Sequence, residues 1–551
     1  MRKYLFAILA AAVYGTLLTM PFMSEGRYQS GDEAFYLARI QDAVDGHRSL
    51  SNAYLWEKKD GLPAQLFLAE NILALPLRAF NIPVASGYVA YTGLLGAGMF
   101  FLSYIAFRTV SRSSWLALLG TSVMFVGLYM TRMIRPVSPQ FNFIFFITEF
   151  LFLWHAVGDG RWRWFILGGI NLGLLFYIYP YYWTAYLVLI ALMALNVVVK
   201  ERPLWKRFAV LTGITAVLAI PYAYLSVLSL QLPEYTQTLT RLGLIYSHIP
   251  SGIKILLWSA VPFGLILLAI KKRVLDVERE TWFLMFALLA HPIAANQHLI
   301  TGQNLEFSSH YPMGGIFFSL LALSYLITRL QLRPILSRIL RGMAMVLAIV
   351  VSLQGLIGFM NHTLPTSPAA NIQEYPLVLS WLNEHTEKDA VVFASDELSQ
   401  VIPAYTHNNV YFARNANLFF MSDHEVIERF LINNYFETVT PQFVYENVRS
   451  LYGVRYQDAY SHILQENKLR ALLGLPLKPA EFLPDHAVKR VSDDADMVHR
   501  LSFPEALRTY RADILVWDTQ KNPEWKVENQ DFLIPVYSTG RFRLFEVSFG
   551  R

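Results

Sequence analysis

The chain has 551 residues, of which 54% are hydrophobic and 16% are charged, whereas about a quarter of the residues in an ordinary soluble domain are charged. Its apolar residues form blocks of about twenty, the length of a membrane-spanning helix, so the sequence predicts an integral, multi-pass membrane protein. The absence of cysteine excludes disulfides, thiol nucleophiles and Cys-ligated metal centres, and a net charge of +5, carried mostly by short loops, indicates membrane topology and no nucleic-acid partner.

The first apolar run extends from Tyr4 to about Met23 and predicts an uncleaved span with a cytoplasmic N-terminus. Residues 24–83 are then expected on the extracytoplasmic side. Within them, the spacing of Ser30 and Glu33 is that of a capping box, and the apolar positions that follow predict a surface helix that ends at Gly46. The stretch 62–80 carries polar residues that are costly in a lipid-facing span, so it predicts a second surface helix.

Ten further spans follow, so that the sequence predicts eleven in all. They are predicted at 84–107, 114–130, 141–157, 163–179, 181–199, 206–230, 254–270, 281–298, 311–328 and 340–360. With this count the loops rich in Lys and Arg all lie on the cytoplasmic side, as the positive-inside rule requires. The chain is therefore expected in the inner (cytoplasmic) membrane with its C-terminus extracytoplasmic.

The composition changes after about residue 365, so the predicted domains are a transmembrane domain at 1–364, which includes the outer segment 24–83, and a soluble extracytoplasmic α/β domain at 365–551. In the second domain the patterns predict helices at 376–385 and 423–435. Strands are predicted at 390–394, 409–412 and 512–518, with a hairpin at 532–547. No Gly-rich phosphate loop or metal-ligand spacing occurs there, which favours a structural or acceptor-positioning role.

Four predicted outer loops concentrate reactive side chains. The candidate site residues are Asp32, Glu33, Glu57, Lys58, Arg135, Arg241, Glu306, His310 and Tyr311. Carboxylates, cations and histidine on one membrane face are what a site that handles a phosphate and a sugar requires.

Each candidate also has a simpler interpretation. Asp32 and Glu33 suit the first turn of any helix, where the dipole favours carboxylates. Arg135 can instead be explained as a side chain that snorkels or binds a lipid headgroup. Lys58 can be explained as part of a solvated turn, and His310 as a hydrogen-bonded structural histidine. The polar loop that contains His310 is longer than a connector needs, which favours a functional role for it.

This pattern resembles the GT-C membrane glycosyltransferases, in particular the branch of protein O-mannosyltransferases and lipid A aminoarabinose transferases. The resemblance is carried by Gly31-Asp32-Glu33 at the head of a surface helix, by the second surface helix, and by the outer C-terminal domain. Trp56-Glu57-Lys58 followed by Pro63 is similar to the Glu-Lys-Pro-Pro element of the aminoarabinose branch. The fold implied is a polytopic α-helical GT-C-like membrane domain with a C-terminal α/β domain.

The resemblance implies inverting transfer of a hexose or pentose from a polyprenyl-phosphate donor to a protein, lipid or glycan acceptor, in the biosynthesis of a cell-envelope glycan. Asp32 would be the base with Glu33 beside it, and Lys58 would contact the donor phosphate. Glu57 would bind a divalent metal, although Lys59-Asp60-Gly61 replaces the paired prolines and leaves the cofactor open.

Further contacts to the donor phosphate or substrate are assigned to Arg135, Arg241, His310, Glu306 and Tyr311. The alternative function is a lipid-linked glycan flippase or transporter. Such proteins are often built from repeated halves, and the sequence shows no such repeat.

Overall fold

A computed structural model of the chain describes residues 2–22, 31–200, 204–250, 252–304, 310–330, 334–363, 375–525 and 527–549. Up to residue 363 the helices are α1 (Arg2–Thr19), α2 (Asp32–Asp45), α3 (Leu68–Phe80), α4 (Val84–Ser111), α5 (Ser114–Ser122), α6 (Asn142–Asp159), α7 (Trp162–Leu175), α8 (Pro180–Lys200), α9 (Trp205–Leu230), α10 (Tyr235–Arg241), α11 (Ile253–Lys271), α12 (Arg279–Ala295), α13 (His298–Thr301), α14 (Pro312–Arg329) and α15 (Pro334–Thr363).

From residue 375 onward the chain contains both helices and strands. The helices are α16 (Tyr375–His385), α17 (Asp396–Tyr405), α18 (Asp423–Asn433), α19 (Pro441–Glu446), α20 (Val448–Tyr452), α21 (Arg455–Leu472), α22 (Asp485–Val498) and α23 (Phe503–Leu507). The strands are β1 (Val391–Phe393), β2 (Asn409–Val410), β3 (Ile514–Asp518), β4 (Leu533–Thr539) and β5 (Phe542–Val547).

All eleven segments predicted to span the membrane are largely helical. Among the described residues, eight of them are long and apolar enough to cross a membrane. Two others, Ser114–Leu128 and Pro180–Asn196, are shorter apolar helices, and α7 has 14 residues. The prediction of an integral, polytopic helical membrane protein is therefore confirmed.

Contacts divide the chain into two compact units. Unit 1 comprises Met1–Glu25, Gly87–Tyr224 and Ser247–Pro368, and unit 2 comprises Gly26–Ser86, Leu225–Tyr246 and Ala369–Arg551. Unit 2 thus combines the C-terminal residues with the first outer segment, which the sequence grouped with the spanning helices.

Unit 1 has a core of interlocking aromatic rings centred on α6. Phe143, Phe146 and Phe150 are buried and share one face of α6, because residues three and four apart are neighbours on a helix. The ring of Phe146 lies 4.7 Å from that of Tyr182 on α8 and 5.5 Å from that of Phe318 on α14. The aromatic face of α6 therefore holds α8 and α14 together.

Unit 2 is built on a mixed sheet with strand order β2-β1-β3-β5-β4. Strand β1 is parallel to its neighbours β2 and β3, while β5 is antiparallel to its neighbours β3 and β4. The first outer segment is joined to this sheet, because the Val410 N–H donates to the Tyr54 carbonyl at 2.9 Å. α2 packs against both α17 and α3.

The predicted secondary structure of unit 2 is confirmed where the pattern was local. Every predicted strand is present, and α2 ends at Gly46, which adopts the left-handed conformation with φ 110°. Ser30, the predicted capping residue, lies outside the described residues, and α2 begins after Gly31 without a side-chain cap. The sequence missed α10, α17 and the helices α19 to α23. α17 lies between β1 and β2, and α19 to α23 lie between β2 and β3.

Gly453 provides a test of how α10 packs in unit 2. A Cβ at Gly453 would lie 2.4 Å from the Arg241 carbonyl oxygen, whereas a Cβ at Gly31 meets no described atom within 4 Å. The two glycines have nearly the same backbone, φ 60° and ψ −132° against φ 64° and ψ −133°, so alanine at either costs about 1–3 kcal/mol of strain. Gly453→Ala costs about 1–3 kcal/mol more than this strain, because the added methyl group would also clash with Arg241.

We therefore expect Gly453→Ala to lower the midpoint of thermal unfolding of the detergent-purified protein clearly more than Gly31→Ala does. Equal shifts would contradict the close approach of Gly453 to Arg241.

Candidate active site

Asp32 lies at the first position of α2, where it is exposed, and Glu33 beside it is half-buried. Both carboxylates occupy the first turn, where the helix dipole stabilises negative charge. The preceding Gly31 has φ 64°, a conformation that residues with a side chain rarely adopt, and it sets the angle at which the chain enters the helix.

α2 is anchored to α3 by a buried ion pair. The Arg39 Nε lies 2.6 Å from the Glu70 Oε1, and both side chains are buried. The Arg39 guanidinium also donates to the Leu66 carbonyl and lies over the rings of Phe35 and Phe419, at 5.5 and 5.8 Å from their centroids. Since breaking a buried ion pair strands a charge, this contact fixes the position of α2 firmly.

A second buried ion pair fixes α2 to the turn that follows it. The Lys59 Nζ lies 2.5 Å from the Asp42 Oδ1, and both side chains are almost fully buried. Burial raises the pKa of Asp42, and the positive charge and hydrogen bond of Lys59 oppose that shift. With the pair Arg39–Glu70, this contact presents Asp32 on a rigid helix, which is how functional groups are held in a productive geometry.

Glu57 and Lys58 lie together in a 3₁₀ turn and join a network of alternating charges with α18. Lys58 pairs with Glu425 at 2.8 Å, Glu425 with Arg429 at 3.2 Å, and Arg429 with Glu57 at 3.0 Å. Arg429 is buried, whereas about a third of the Lys58 side chain remains exposed. Sequence reasoning missed Glu425 and Arg429, whose only local signal was their spacing of four residues on a helix.

The environment of Glu57 does not fit a metal ion. One carboxylate oxygen accepts from Arg429 and the other from the Arg511 backbone N–H at 3.2 Å. Within the described part of the chain, no group of three or more His, Asp or Glu side chains could hold a metal. The metal role of Glu57 rests on the family resemblance alone, and no chemical step is assigned to a metal.

Arg241 is fully buried and bound to the C-terminal part of unit 2. Its Nη1 lies 2.5 Å from the Asp423 Oδ1, and its Nε and Nη2 donate to the carbonyls of Asn417 and Met421. Burial lowers the pKa of Arg241, and the charge of Asp423 opposes that shift. Arg455 donates to the same carboxylate at 2.8 Å. The Arg241 guanidinium is therefore engaged within unit 2 and is not expected to contact the donor phosphate.

Other predicted site residues lie in unit 1, where α8 and α14 begin. The His310 Nδ1 lies 2.5 Å from the Tyr179 hydroxyl, and its ring stacks on Tyr181 at 4.6 Å with an interplanar angle of 11°. The Tyr311 hydroxyl is 2.9 Å from that of Thr184. Tyr179 and Tyr181 belong to an aromatic run, residues 177–183, of the kind that is enriched at membrane interfaces.

Arg135 is half-buried in a loop of unit 1. The Gln140 side chain holds this loop, because its amide donates to the carbonyls of Met133 and Thr92 at 2.5 and 3.0 Å. Glu306 lies outside the described residues. Unit 2 therefore contains the predicted residues Asp32, Glu33, Glu57, Lys58 and Arg241, and unit 1 contains Arg135, His310 and Tyr311.

The fold is that of the GT-C membrane glycosyltransferases, as the sequence predicted. The oligosaccharyltransferase AglB from Archaeoglobus fulgidus, solved with an inhibitory peptide and a dolichol-phosphate, matches with a TM-score of 0.51 and 13% identity over 94% of this chain and 70% of that one. ArnT from Cupriavidus metallidurans, solved with undecaprenyl phosphate, matches with a TM-score of 0.53 and 12% identity over 98% of each chain. Comparisons with protein-family models and with curated proteins find no match.

Asp423 provides a test of the Arg241 contact. Asp423→Asn leaves Arg241 and Arg455 without their carboxylate, so we expect a loss of about 3–5 kcal/mol in the free energy of unfolding near neutral pH. Burial would raise the pKa of Asp423, but hydrogen bonds and charges from Arg455 and Arg241 hold it below its usual value. The ion pair therefore stabilises the fold fully above the unfolded pKa of about 3.9, and this contribution is lost as the pH falls toward the lowered native pKa.

Thermal unfolding of both proteins between about pH 3 and 7 checks this, and the difference should shrink below about pH 4. Asp493→Asn, which removes an exposed pair with Lys489, is the control and should change stability by less than about 1 kcal/mol. A difference between wild type and Asp423→Asn that does not change with pH would contradict the assignment.

Proposed function

We propose that the chain is an inverting membrane glycosyltransferase that moves one sugar from a polyprenyl-phosphate donor to an extracytoplasmic acceptor. The observation that carries the proposal is Asp32, an exposed carboxylate on a helix fixed by two buried ion pairs. The shared fold supports a lipid-phosphate donor, since AglB and ArnT were solved with dolichol-phosphate and undecaprenyl phosphate. The positive-inside pattern supports an orientation of the protein in the inner membrane in which unit 2 lies outside the cytoplasm.

In the proposed reaction, Asp32 accepts a proton from the hydroxyl or amino group of a protein, lipid or glycan acceptor. That group attacks the anomeric carbon of a hexose or pentose from the face opposite the phosphate, so the configuration inverts. The bond from the anomeric carbon to the phosphate oxygen breaks, and the polyprenyl phosphate leaves with the electron pair.

Cationic side chains stabilise the departing phosphate, because preorganised charge at a leaving group lowers the barrier. We assign this role to Lys58, Arg135 and His310. Glu33 lies beside the base, and Glu306 and Tyr311 are assigned to substrate contacts. Transfer by the purified protein in detergent, with a synthetic polyprenyl-phosphate sugar and no membrane gradient, tests the proposal against a flippase, which forms no glycosylated product.

Removal of the base tests the central role. We expect Asp32→Asn to lower kcat by roughly 100-fold or more with little change in the KM of the donor, because a general base contributes that much to a proton transfer. Asp60→Asn, at an exposed carboxylate of the same outer segment, is the matched control and should retain activity. Near-normal turnover by correctly folded Asp32→Asn protein would remove Asp32 from the mechanism.

The role of Lys58 is separable from its ion pair with Glu425. A charge-assisted hydrogen bond contributes about 1.5–3 kcal/mol, so Lys58→Gln should raise the donor KM roughly 10- to 100-fold. Glu425→Gln weakens the same ion pair but keeps the lysine, so it should not raise the donor KM. Kinetics at varied donor concentration checks this, and equal effects of both variants would indicate that Lys58 acts only through the network.

A further inference from the structure

α21 and the residues that follow it, 455–480, form an arm with an exposed apolar end. None of the residues of α21 is buried, and all ten residues from 471 to 480 are exposed. Four of them are leucines whose exposed fractions are between 47% and 83%: Leu472, Leu473, Leu475 and Leu477. Single exposed leucines are ordinary, but four within six residues form a contiguous patch of the kind that marks an interaction site.

Polar contacts hold the turn at the end of this arm in one conformation. The Asn467 side chain donates to the Lys478 carbonyl and accepts the Lys478 N–H, both at 2.8 Å. The Arg470 Nε donates to the Pro476 carbonyl at 2.6 Å, and the Leu475 N–H donates to the Arg470 carbonyl at 2.8 Å. These hydrogen bonds hold the turn from within the arm while the leucines remain exposed.

The charge around the leucines is positive. Residues 464–480 contain three cations, Lys468, Arg470 and Lys478, and one carboxylate, Glu466. Glu466 pairs with both Arg470 and Lys478, at 3.2 and 2.7 Å. Leucines flanked by lysine and arginine are the composition of segments that bind anionic lipid interfaces. Binding hot spots for proteins are instead enriched in Trp, Tyr and Arg and depleted in Leu.

We propose that this arm, residues 455–480, inserts its leucines into the headgroup region of an anionic bilayer. The chain passes between unit 2 and the membrane-spanning unit 1 five times, so unit 2 is tethered at a membrane. A tethered segment binds at high effective concentration, so four leucines and a net positive charge suffice for occupancy. This contact is independent of the proposed sugar transfer and is tested without it.

The test uses full-length protein in lipid nanodiscs that each hold one copy. Because the chain has no cysteine, Leu473→Cys carries a single environment-sensitive fluorophore, and Lys489→Cys on α22, where the side chain is 73% exposed, is the matched control. The discs contain phosphatidylcholine alone or with phosphatidylglycerol. Quenching is measured with nitroxide on the lipid chains and with iodide in the water.

We expect the Leu473→Cys label to be quenched by the lipid nitroxide and protected from iodide, and the Lys489→Cys label to show the reverse. Adding Lys468→Gln should lower the preference for phosphatidylglycerol discs roughly fivefold, the effect of one cation near an anionic surface. Serine at Leu472, Leu475 and Leu477 should abolish the lipid quenching, and these positions are exposed, so the fold is retained.

Three results would overturn the proposal. Equal iodide quenching of both labels would show that the arm stays in water. Protection from iodide without lipid quenching would show that the leucines pack on protein. Protection that appears only in discs with two copies would show that the arm binds a second chain.

Discussion

The architecture of unit 2 depends on buried ion pairs, in which each buried charge lies beside a partner of opposite charge. Arg241 with Asp423 joins the segment that contains α10 to the C-terminal residues, and Arg39 with Glu70 joins α2 to α3 within the first outer segment. All four side chains lie almost out of reach of water. A buried charge without its partner carries a desolvation cost of several kcal/mol, so neither half can adopt its position alone. The pair of Arg241 with Asp423 therefore holds the segment that contains α10 to the C-terminal residues, and the pair of Arg429 with Glu57 connects the first outer segment to the same unit.

This dependence explains which features could be predicted from the sequence. The spans could be predicted because an apolar block of about twenty residues is a local signal. The end of α2 at Gly46 and the five strands were also local. The partners of the charged residues were not, because 182 positions separate Arg241 from Asp423 and 372 separate Glu57 from Arg429. A charged residue at a predicted outer face is equally consistent with a catalytic or binding role and with a structural ion pair until its partner is known.

In the candidate site, too, the sequence identified residues with a local pattern but not their distant partners. Asp32 and Lys58 were found because their positions relative to the first span matched a family pattern, and the structure describes how each is held. Arg241 was selected only as a cation in an outer loop, and its guanidinium proves to be bound by Asp423 and two carbonyls. The spacing of Glu425 and Arg429 could not identify them as part of the site, because a helical Glu and Arg four residues apart are common on any solvated helix.

The pairing of Lys58 also bears on how a phosphate donor could be bound. Its ammonium has three donors and contacts Glu425, which in turn contacts Arg429 and, through it, Glu57. A phosphate that approached Lys58 would therefore compete with Glu425 or share the lysine with it, and either change alters the charge balance around Arg429. Arg429 lies on α18, and its guanidinium carbon is 3.5 Å from the centroid of the Tyr510 ring. A change in the charge balance around Arg429 would therefore also affect the C-terminal part of unit 2, which contains the sheet. If Lys58 binds the donor phosphate as proposed, the C-terminal residues would influence donor binding through this network, in addition to supporting the outer segment that carries Asp32.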